Sequence, residues 1–235
     1  MHIQSSTLFS SLYILWMCLD RMRTCWICSS TADYFASDGY QYMDCARLFN
    51  FNFTKKQKLF STSDQAQTLI EAGRRMHSFY SKLYEKDWIM EPARSVVINN
   101  KWILHGHIDF QHRELDLIRE LKPIYTRRAY GQTLMYRLLF PDFIIQCEEY
   151  IKKRIFTLKA DYNMAKVYLQ RIIYSSEIIP PRLPHFPEKR CDLCPYLHDC
   201  IQIPDYSWKD EFTPNLKKRF PTIDLNITPL VLDSE

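Results

Sequence analysis

Apolar residues alternate with polar ones through the middle of the chain and recur at helical spacing on either side. Val96-Val97-Ile98 and Trp102-Ile103-Leu104 are short β-rich runs, and Leu115 to Leu121 alternates. Asn99-Asn100 is a turn signal between the first two runs, and Gln111 to Glu114 is a polar turn before the third. The pattern predicts a three-stranded meander. Thr62 to Lys86 reads as a helix capped by Ser63 or Asp64. Leu69, Ala72, Met76, Phe79, Tyr80 and Leu83 would pack on the sheet, with His77 on the flank of that stripe. Gln132 to Leu139 predicts a helix after the third strand, with Gln132 and Tyr136 one turn apart on one face. A short strand is expected near Phe143-Ile144-Ile145. Asp161 to Ser176 predicts another helix with Met164, Val167, Tyr168, Ile172 and Ile173 on its apolar side, ended by Pro180-Pro181. Beyond about residue 203 periodic features are few, and a loosely held tail is expected.

Composition agrees with an ordered, element-rich domain. The chain has 235 residues, 46% of them hydrophobic, and only 4 Gly, which suits one sizeable core. The net charge of +4 is mild but uneven: residues 111–171 carry 12 Lys/Arg against 7 Asp/Glu. Lys152, Lys153 and Arg154 are consecutive and lie close to Tyr150 and Phe156. Bases interleaved with aromatic rings suit a single-stranded nucleic-acid path; the alternative is a solvated helix face. The apolar run Thr7 to Leu19 is too short to span a bilayer, and no Lys or Arg precedes it. No membrane partner is expected. The 8 cysteines are clustered, which favours metal-bound thiolates in a reducing setting over disulfides. Cys147 reads as a small buried residue. Cys18 lies in the N-terminal stretch, and Cys25-x-x-Cys28 resembles half a zinc site with no second pair to complete it.

Two stretches carry chemistry. The first runs from Gly106-His107-Ile108-Asp109 to Glu120-Leu121-Lys122. Side chains alternate across a strand, so His107 and Asp109 share one face of their strand. Glu120 and Lys122 share a face of the next, with Ile118. A hairpin brings Asp109 beside Glu120. The two carboxylates can hold a hard divalent cation, with Lys122 beside the water it activates. Taken alone, the run also fits a hairpin with a solvated acidic and basic face. The second stretch is Cys191-x-x-Cys194 followed by Cys200. Its spacing lets three thiolates converge on a metal, with a fourth ligand from elsewhere. Spacing leaves zinc and an iron–sulfur cluster both open.

Five motifs, in order over roughly residues 38 to 203, make the chain resemble the CRISPR-associated RecB-like exonucleases, the fourth-numbered Cas family of the PD-(D/E)XK nuclease superfamily. Cys45 with Arg47 and Phe49 matches the family's first cysteine motif, although Ala46 stands where the family usually has proline. Gly73 to His77 matches its G-x-x-x-H helix. Asp109 and Glu120-Leu121-Lys122 match its acidic core, Gln132 to Tyr136 matches Q-x-x-x-Y, and Cys191, Cys194 and Cys200 match its closing cysteines. The resemblance implies an α/β fold: a restriction-endonuclease-like core with a mixed central sheet flanked by helices, and an iron–sulfur cluster subdomain formed by the two ends. It divides the chain into an N-terminal extension (1–37), the nuclease domain (38–203) and a tail (204–235).

The resemblance also implies roles. Cys45, Cys191, Cys194 and Cys200 would hold a structural 4Fe–4S cluster. His77, Asp109, Glu120 and the carbonyl of Leu121 would bind Mg²⁺ or Mn²⁺, imidazole favouring Mn²⁺ somewhat. Lys122 would orient the attacking water, and Gln132 and Tyr136 would position the DNA strand or support Lys122. Lys152, Lys153 and Arg154 would contact the DNA backbone. The function expected is a cytoplasmic DNA exonuclease acting on single-stranded ends. It would process DNA for CRISPR spacer acquisition with the CRISPR integrase as partner, and could form a homo-oligomer. The alternatives are a recombination, repair or viral nuclease without a CRISPR role, and a non-catalytic DNA-binding scaffold held together by metal.

Overall fold

Pairing of short strands builds three sheets, and helices cover them. The computed structural model describes residues 23–24, 31–55, 64–177, 180, 191, 194, 196–202 and 225–230. In chain order the elements are β1 (Arg23–Thr24), β2 (Thr31–Ala32), β3 (Tyr34–Phe35), α1 (Ala36–Asp44), α2 (Ala46–Lys55), α3 (Asp64–Tyr84), β4 (Trp88–Met90), β5 (Ala93–Ile98) and β6 (Trp102–His107). They continue with β7 (Phe110–His112), β8 (Leu117–Lys122), α4 (Arg127–Leu139), β9 (Ile144–Glu149), β10 (Arg154–Thr157), α5 (Tyr162–Glu177), α6 (Leu197–Gln202) and β11 (Ile227–Pro229). The five-stranded sheet has the order β10-β9-β8-β7-β4, the four-stranded sheet β11-β5-β6-β3, and β1 pairs β2. Both larger sheets are mixed. β8 and β9 are parallel, as are β3 and β6, and the other pairs are antiparallel. A parallel neighbour requires a crossover, which α4 supplies between β8 and β9.

The expected meander is only half right. β5 and β6 form a hairpin through Asn99 and Asn100, both at positive φ (51° and 52°), the left-handed pair that a tight hairpin turn needs and Asn tolerates. β6 does not pair with β8. It stops at His107, and β7 resumes at Phe110 in the other sheet, where it pairs with β8. Gln111 and His112, expected in a turn, are therefore strand residues; the polar connection is 113–116. The break at Ile108 and Asp109 is matched across the hairpin by Glu91 and Pro92, which separate β4 from β5. Glu91 N–H donates to the Asp109 carbonyl (2.9 Å) and Ile108 N–H to that of Pro92 (3.3 Å).

β8 is covered on both faces. Ile118 joins the main core, which α4 and α5 line with Leu134, Met135, Leu138, Leu139, Leu169 and Ile172. Leu121 joins a second cluster with Trp88 and Phe110, against which Tyr80 and Tyr84 of α3 pack. The stripe of α3 differs from the one expected. Phe79 and Leu83 are each 60% exposed, and Ala72 is exposed as well. The covered face runs through Gly73, Met76, His77, Tyr80, Ser81 and Tyr84, so His77 lies on the stripe rather than beside it. On α5, Met164 and Val167 are half exposed, and Ala165 and Leu169 take their places beside Tyr168, Ile172 and Ile173. Both helices keep the expected period but are rotated about their axes.

Elements near both ends of the chain join the sheets. Residue 38 falls inside α1, and the preceding β3 is already in the sheet beside β6, with Tyr34 buried in the main core and bonded to Ser176 (2.9 Å). Asp38 accepts from the Phe35 N–H (2.8 Å) at the start of α1 and pairs with Arg23. Of the tail, residues 225–230 are described, and they are held: β11 pairs with β5, and Leu225 is buried in the core. Thr7 to Leu19, Cys18, Cys25, Cys28, Ser63 and Pro181 lie outside the described residues. Among the described residues no helix is long and apolar enough to cross a membrane.

Candidate active site

Asp109 sits at the break between β6 and β7, and the register of β7 on β8, with Phe110 opposite Arg119, brings it to Glu120. Its Oδ2 accepts the Leu121 N–H at 2.6 Å. Its Oδ1 lies 3.5 Å from Nδ1 of His77, which α3 lowers onto the strand break. Burial pushes the Asp109 carboxyl well above its ordinary range, and the negative charge of Glu120 adds to this. Burial also lowers the pKa of His77, so its imidazole is neutral near pH 7 and able to donate a lone pair.

Glu120 and Lys122 share a face of β8, as alternation requires. Glu120 Oε1 meets Lys122 Nζ at 2.5 Å. Glu120 is 6% exposed, and its Oε2 is a buried acceptor with no hydrogen-bond partner. Such an orphaned oxygen is costly in a protein interior. Tyr136 lies against Glu120 but does not satisfy it, because its hydroxyl proton goes to the His107 carbonyl (2.7 Å). Gln132 donates to the same hydroxyl at 2.6 Å. Thr126 caps α4, accepting from the Ala129 N–H, and so fixes the helix phase that aims Gln132 and Tyr136 at the strand break. Tyr136 is 1% exposed, which rules out a direct contact with DNA and leaves a supporting role under Glu120. Leu121 is buried, with its side chain in the second cluster and its N–H on Asp109.

Glu91 was missed by the sequence reading. It is exposed, sits at positive φ (46°), and its charge reaches both His77 and Asp109. Its only signal in the sequence is an acidic residue before a proline between two β-rich runs. Cys147, opposite Glu120 on β9, is fully buried; burial and the Glu120 charge push its thiol up to about 12, so it is an inert packing residue as expected.

The three bases do not lie on a helix. Lys152 and Lys153 occupy the turn between β9 and β10, Lys153 at φ 50°, and Arg154 begins β10. Arg154 pairs with the buried Glu149, and Lys152 lies 3.9 Å from the same carboxylate. Tyr150 N–H bonds the Lys122 carbonyl (3.0 Å) and Ile151 N–H that of Pro123 (3.3 Å), which fixes this basic tip at the end of the strand carrying Lys122.

The cysteines come from both ends of the chain. Cys45 ends α1, and its Sγ accepts the Leu48 N–H at 3.5 Å. Burial raises its thiol pKa, with Cys194 and Cys200 contributing in the same direction. Cys194 is raised by burial and feels Cys191 and Cys200. Arg47, almost wholly buried, ties these parts together: Nε donates to the Pro180 carbonyl (2.7 Å), and Nη1 to the Cys200 carbonyl (3.3 Å) and sulfur (3.6 Å). Among the described residues no three His, Cys, Asp or Glu side chains are arranged as the shell of a metal ion. The donor types still fit the two groups expected. The candidate acidic site offers two carboxylates, one oxygen of Glu120 without a partner, and a neutral imidazole, and Cys45, Cys194 and Cys200 feel one another's charge at the other site.

No protein-family model matches this chain, and no curated protein matches it. Among solved structures it is similar to the crystal structure of SSO0001, with a TM-score of 0.50 and 14% identity over 86% of this chain and 96% of that one. The likeness is one of fold.

Proposed function

We propose that this protein is a divalent-cation-dependent DNA nuclease of the PD-(D/E)XK type, related to the CRISPR-associated RecB-like exonucleases and acting on single-stranded ends. The observation that carries the reading is the meeting of Asp109, Glu120, His77 and Lys122 at one strand break, with a buried Glu120 oxygen that lacks a partner. His77, Asp109 and Glu120 would hold Mg²⁺ or Mn²⁺, with the Leu121 carbonyl as a further donor. When bound, the cation supplies Lewis acidity to a phosphoryl oxygen and lowers the pKa of water. Lys122 orients the attacking water and offsets negative charge that develops on phosphate. Gln132 and Tyr136 hold the His107 backbone beside the strand break. The basic turn at Lys152 and Lys153 steers the phosphate backbone toward Lys122.

Cys45, Cys191, Cys194 and Cys200 would hold a structural 4Fe–4S cluster. What supports this is that Arg47 bonds residues 133 and 153 positions away, Pro180 and Cys200, so that one site would close most of the domain. In a cell with a CRISPR system the product would be trimmed DNA for the integrase.

The test is cleavage of end-labelled single-stranded DNA by anaerobically purified protein, with and without Mn²⁺. Cleavage that needs the cation and is lost in Asp109→Ala is expected; undiminished cleavage by folded Asp109→Ala refutes the site. Lys122→Ala is expected to keep cation affinity and lose roughly 10²–10³-fold in rate. Iron and sulfide analysis checks the cluster, and stoichiometric zinc without iron would overturn it.

A further inference from the structure

The parallel ladder of β8 and β9 runs past its last strand residues. Lys122 lies opposite Glu149, and two further bonds carry the pairing on: Tyr150 N–H to the Lys122 carbonyl (3.0 Å) and Ile151 N–H to that of Pro123 (3.3 Å). The segment after Lys122 and the turn between β9 and β10 are thereby held side by side at one tip. Glu149 ties them a second time. It is fully buried; one carboxylate oxygen accepts the Tyr125 N–H at 2.5 Å, and the other pairs with Arg154 and lies 3.9 Å from Lys152. The Tyr125 ring meets Phe156 edge to face with centroids 5.4 Å apart, and the Arg154 guanidinium lies over Phe156 at 5.1 Å. Backbone bonds, a buried carboxylate and ring contacts all fix the tip.

Lys153, Ile124 and Ile151 are available on this frame. Arg154 and Lys152 are engaged by Glu149, whereas among the described residues no carboxylate pairs with Lys153. Lys153 lies in the left-handed region at φ 50°, which is uncommon for a lysine. Ile124 is 42% exposed and Ile151 59%. One exposed isoleucine is ordinary. Two of them at one tip, beside the Lys153 ammonium and close after Lys122, restrict the ligand that fits. The ammonium calls for an anion, and the isoleucines call for apolar surface. A duplex turns its phosphates outward and keeps its bases stacked inside, so it satisfies the ammonium and leaves the isoleucines bare. An unpaired nucleotide offers both a phosphate and the face of its base.

We propose that Lys153, Ile124 and Ile151 form a subsite for one unpaired nucleotide of single-stranded DNA, with Lys153 on its phosphate and the two isoleucines against its base. The inference rests on the reading that the protein acts on single-stranded DNA, and it supplies the contact to a base which that reading lacks.

The experiment is the fluorescence anisotropy of a labelled oligothymidylate titrated with the full chain in EDTA, which separates binding from cleavage. The comparison strand has the same backbone with abasic sites in place of the bases. The double variant Ile124→Ser, Ile151→Ser changes two exposed positions, so the fold is spared. It is expected to bind the oligothymidylate about tenfold more weakly, as the loss of apolar contact with a base predicts, and to bind the abasic strand as wild type does. Lys153→Ala is expected to weaken binding of both strands and to reduce the slope of log affinity against log salt by about 0.7, the share of one phosphate on a single strand. Unchanged oligothymidylate affinity in the isoleucine variant, or an equal loss on the abasic strand, overturns the base contact. An unchanged salt slope in Lys153→Ala overturns the phosphate contact. If sedimentation without DNA shows that the isoleucine variant has lost self-association, a second copy is the occupant and the subsite falls. Cation-dependent cleavage by wild type, with affinities unchanged in the variants, refutes the subsite and leaves the nuclease. The expected losses in a protein that cleaves under no cation uphold the subsite and refute the nuclease.

Discussion

Gly131→Ala should destabilise the protein although it improves helix propensity. Gly131 lies in α4 and Gly39 in α1, and the two helices cross with these residues in contact. A Cβ at Gly131 would stand 2.3 Å from the Gly39 carbonyl oxygen, 2.6 Å from the Tyr168 hydroxyl and 2.9 Å from Met43 Cβ. The first of these is backbone, so no rotamer change relieves it; the helices must part by about 1 Å, and close-packed cores resist this at about 1–3 kcal/mol or more. Tyr168 Oη cannot simply retreat, because it donates to the Gly39 carbonyl at 2.7 Å, and leaving that buried acceptor unpaired costs about 1–3 kcal/mol more. The gain of about 1 kcal/mol from replacing a helical glycine offsets part of this. The net expectation is a loss of about 3 kcal/mol. Gly73→Ala is the control: it is also helical, but a Cβ there has nothing within 4 Å, so the propensity term stands alone and stability should rise by about 0.8 kcal/mol. Urea unfolding followed by tryptophan fluorescence reads both. With a slope of about 3 kcal/mol per molar for a domain of this size, Gly131→Ala should move the midpoint down by about 1 M. Equal midpoints for the two variants would refute the crossing. The consequence is functional, since α4 carries Gln132 and Tyr136 and α1 ends at Cys45.

Further outcomes follow from the site. Asp109→Asn should stabilise the cation-free protein at neutral pH by about 0.5–2 kcal/mol, since a carboxyl whose pKa is raised in the fold contributes stability at low pH that is lost as pH rises through that pKa. Wild type should gain about 2.7 kcal/mol from Mn²⁺ at a hundred times its dissociation constant, and Asp109→Asn should gain nothing; thermal melts with and without Mn²⁺ decide both. Burial lowers His105 from 6.5 to about 4, so its contribution is complete above pH 6.5 and is lost as pH falls toward 4, by about 3 kcal/mol. His105→Asn, which keeps an acceptor for Ser95, should flatten that slope in urea titrations; parallel pH profiles would refute it. Arg47→Met should cost about 2–4 kcal/mol, because the carbonyls of Pro180 and Cys200 lose a buried donor, and urea unfolding measures this too.

What could be read from the sequence was local. The period of α3, α4 and α5 was legible, and so was the Asn99-Asn100 hairpin, because each is set by residues within one or two turns of one another. The rotation of α3 and α5 about their axes was not. Phe79 and Leu83 fit an apolar stripe as well as Tyr80 and Tyr84 do, and the choice fell to the aromatic side chains that could reach Trp88 and Phe110 across the sheet. Two short strands, β3 and β11, were not legible for a related reason. Tyr34-Phe35 and Ile227–Pro229 are too short to show a period, yet each gains its place by pairing with a long neighbour, β6 or β5. Asp109, Glu120 and Lys122 were legible as a set because register follows from alternation and one short connection. Glu91 was not, because its position depends on a left-handed backbone and on bonds to Asp109 and His107, and no pattern of residue types encodes either.

The two sheets explain why the candidate site lies where it does. A continuous strand from Trp102 to His112 would carry Asp109 into regular pairing, with its carboxylate fixed by alternation alone. Dividing that strand at Ile108 and Asp109, and its partner at Glu91 and Pro92, frees one carboxylate from the pleat while four backbone groups stay paired across the gap. Asp109 then accepts the Leu121 N–H with one oxygen and faces His77 with the other, an orientation that regular β geometry would not give it. The strain at Glu91 belongs to the same device: a left-handed residue on the partner strand lets both strands change sheets together. Relieving it with Glu91→Gly should therefore leave the break intact, whereas deleting one residue from 107–109 should shift the register that sets Asp109 against Glu120 and remove the site while the main core, built mostly on other strands and helices, still folds.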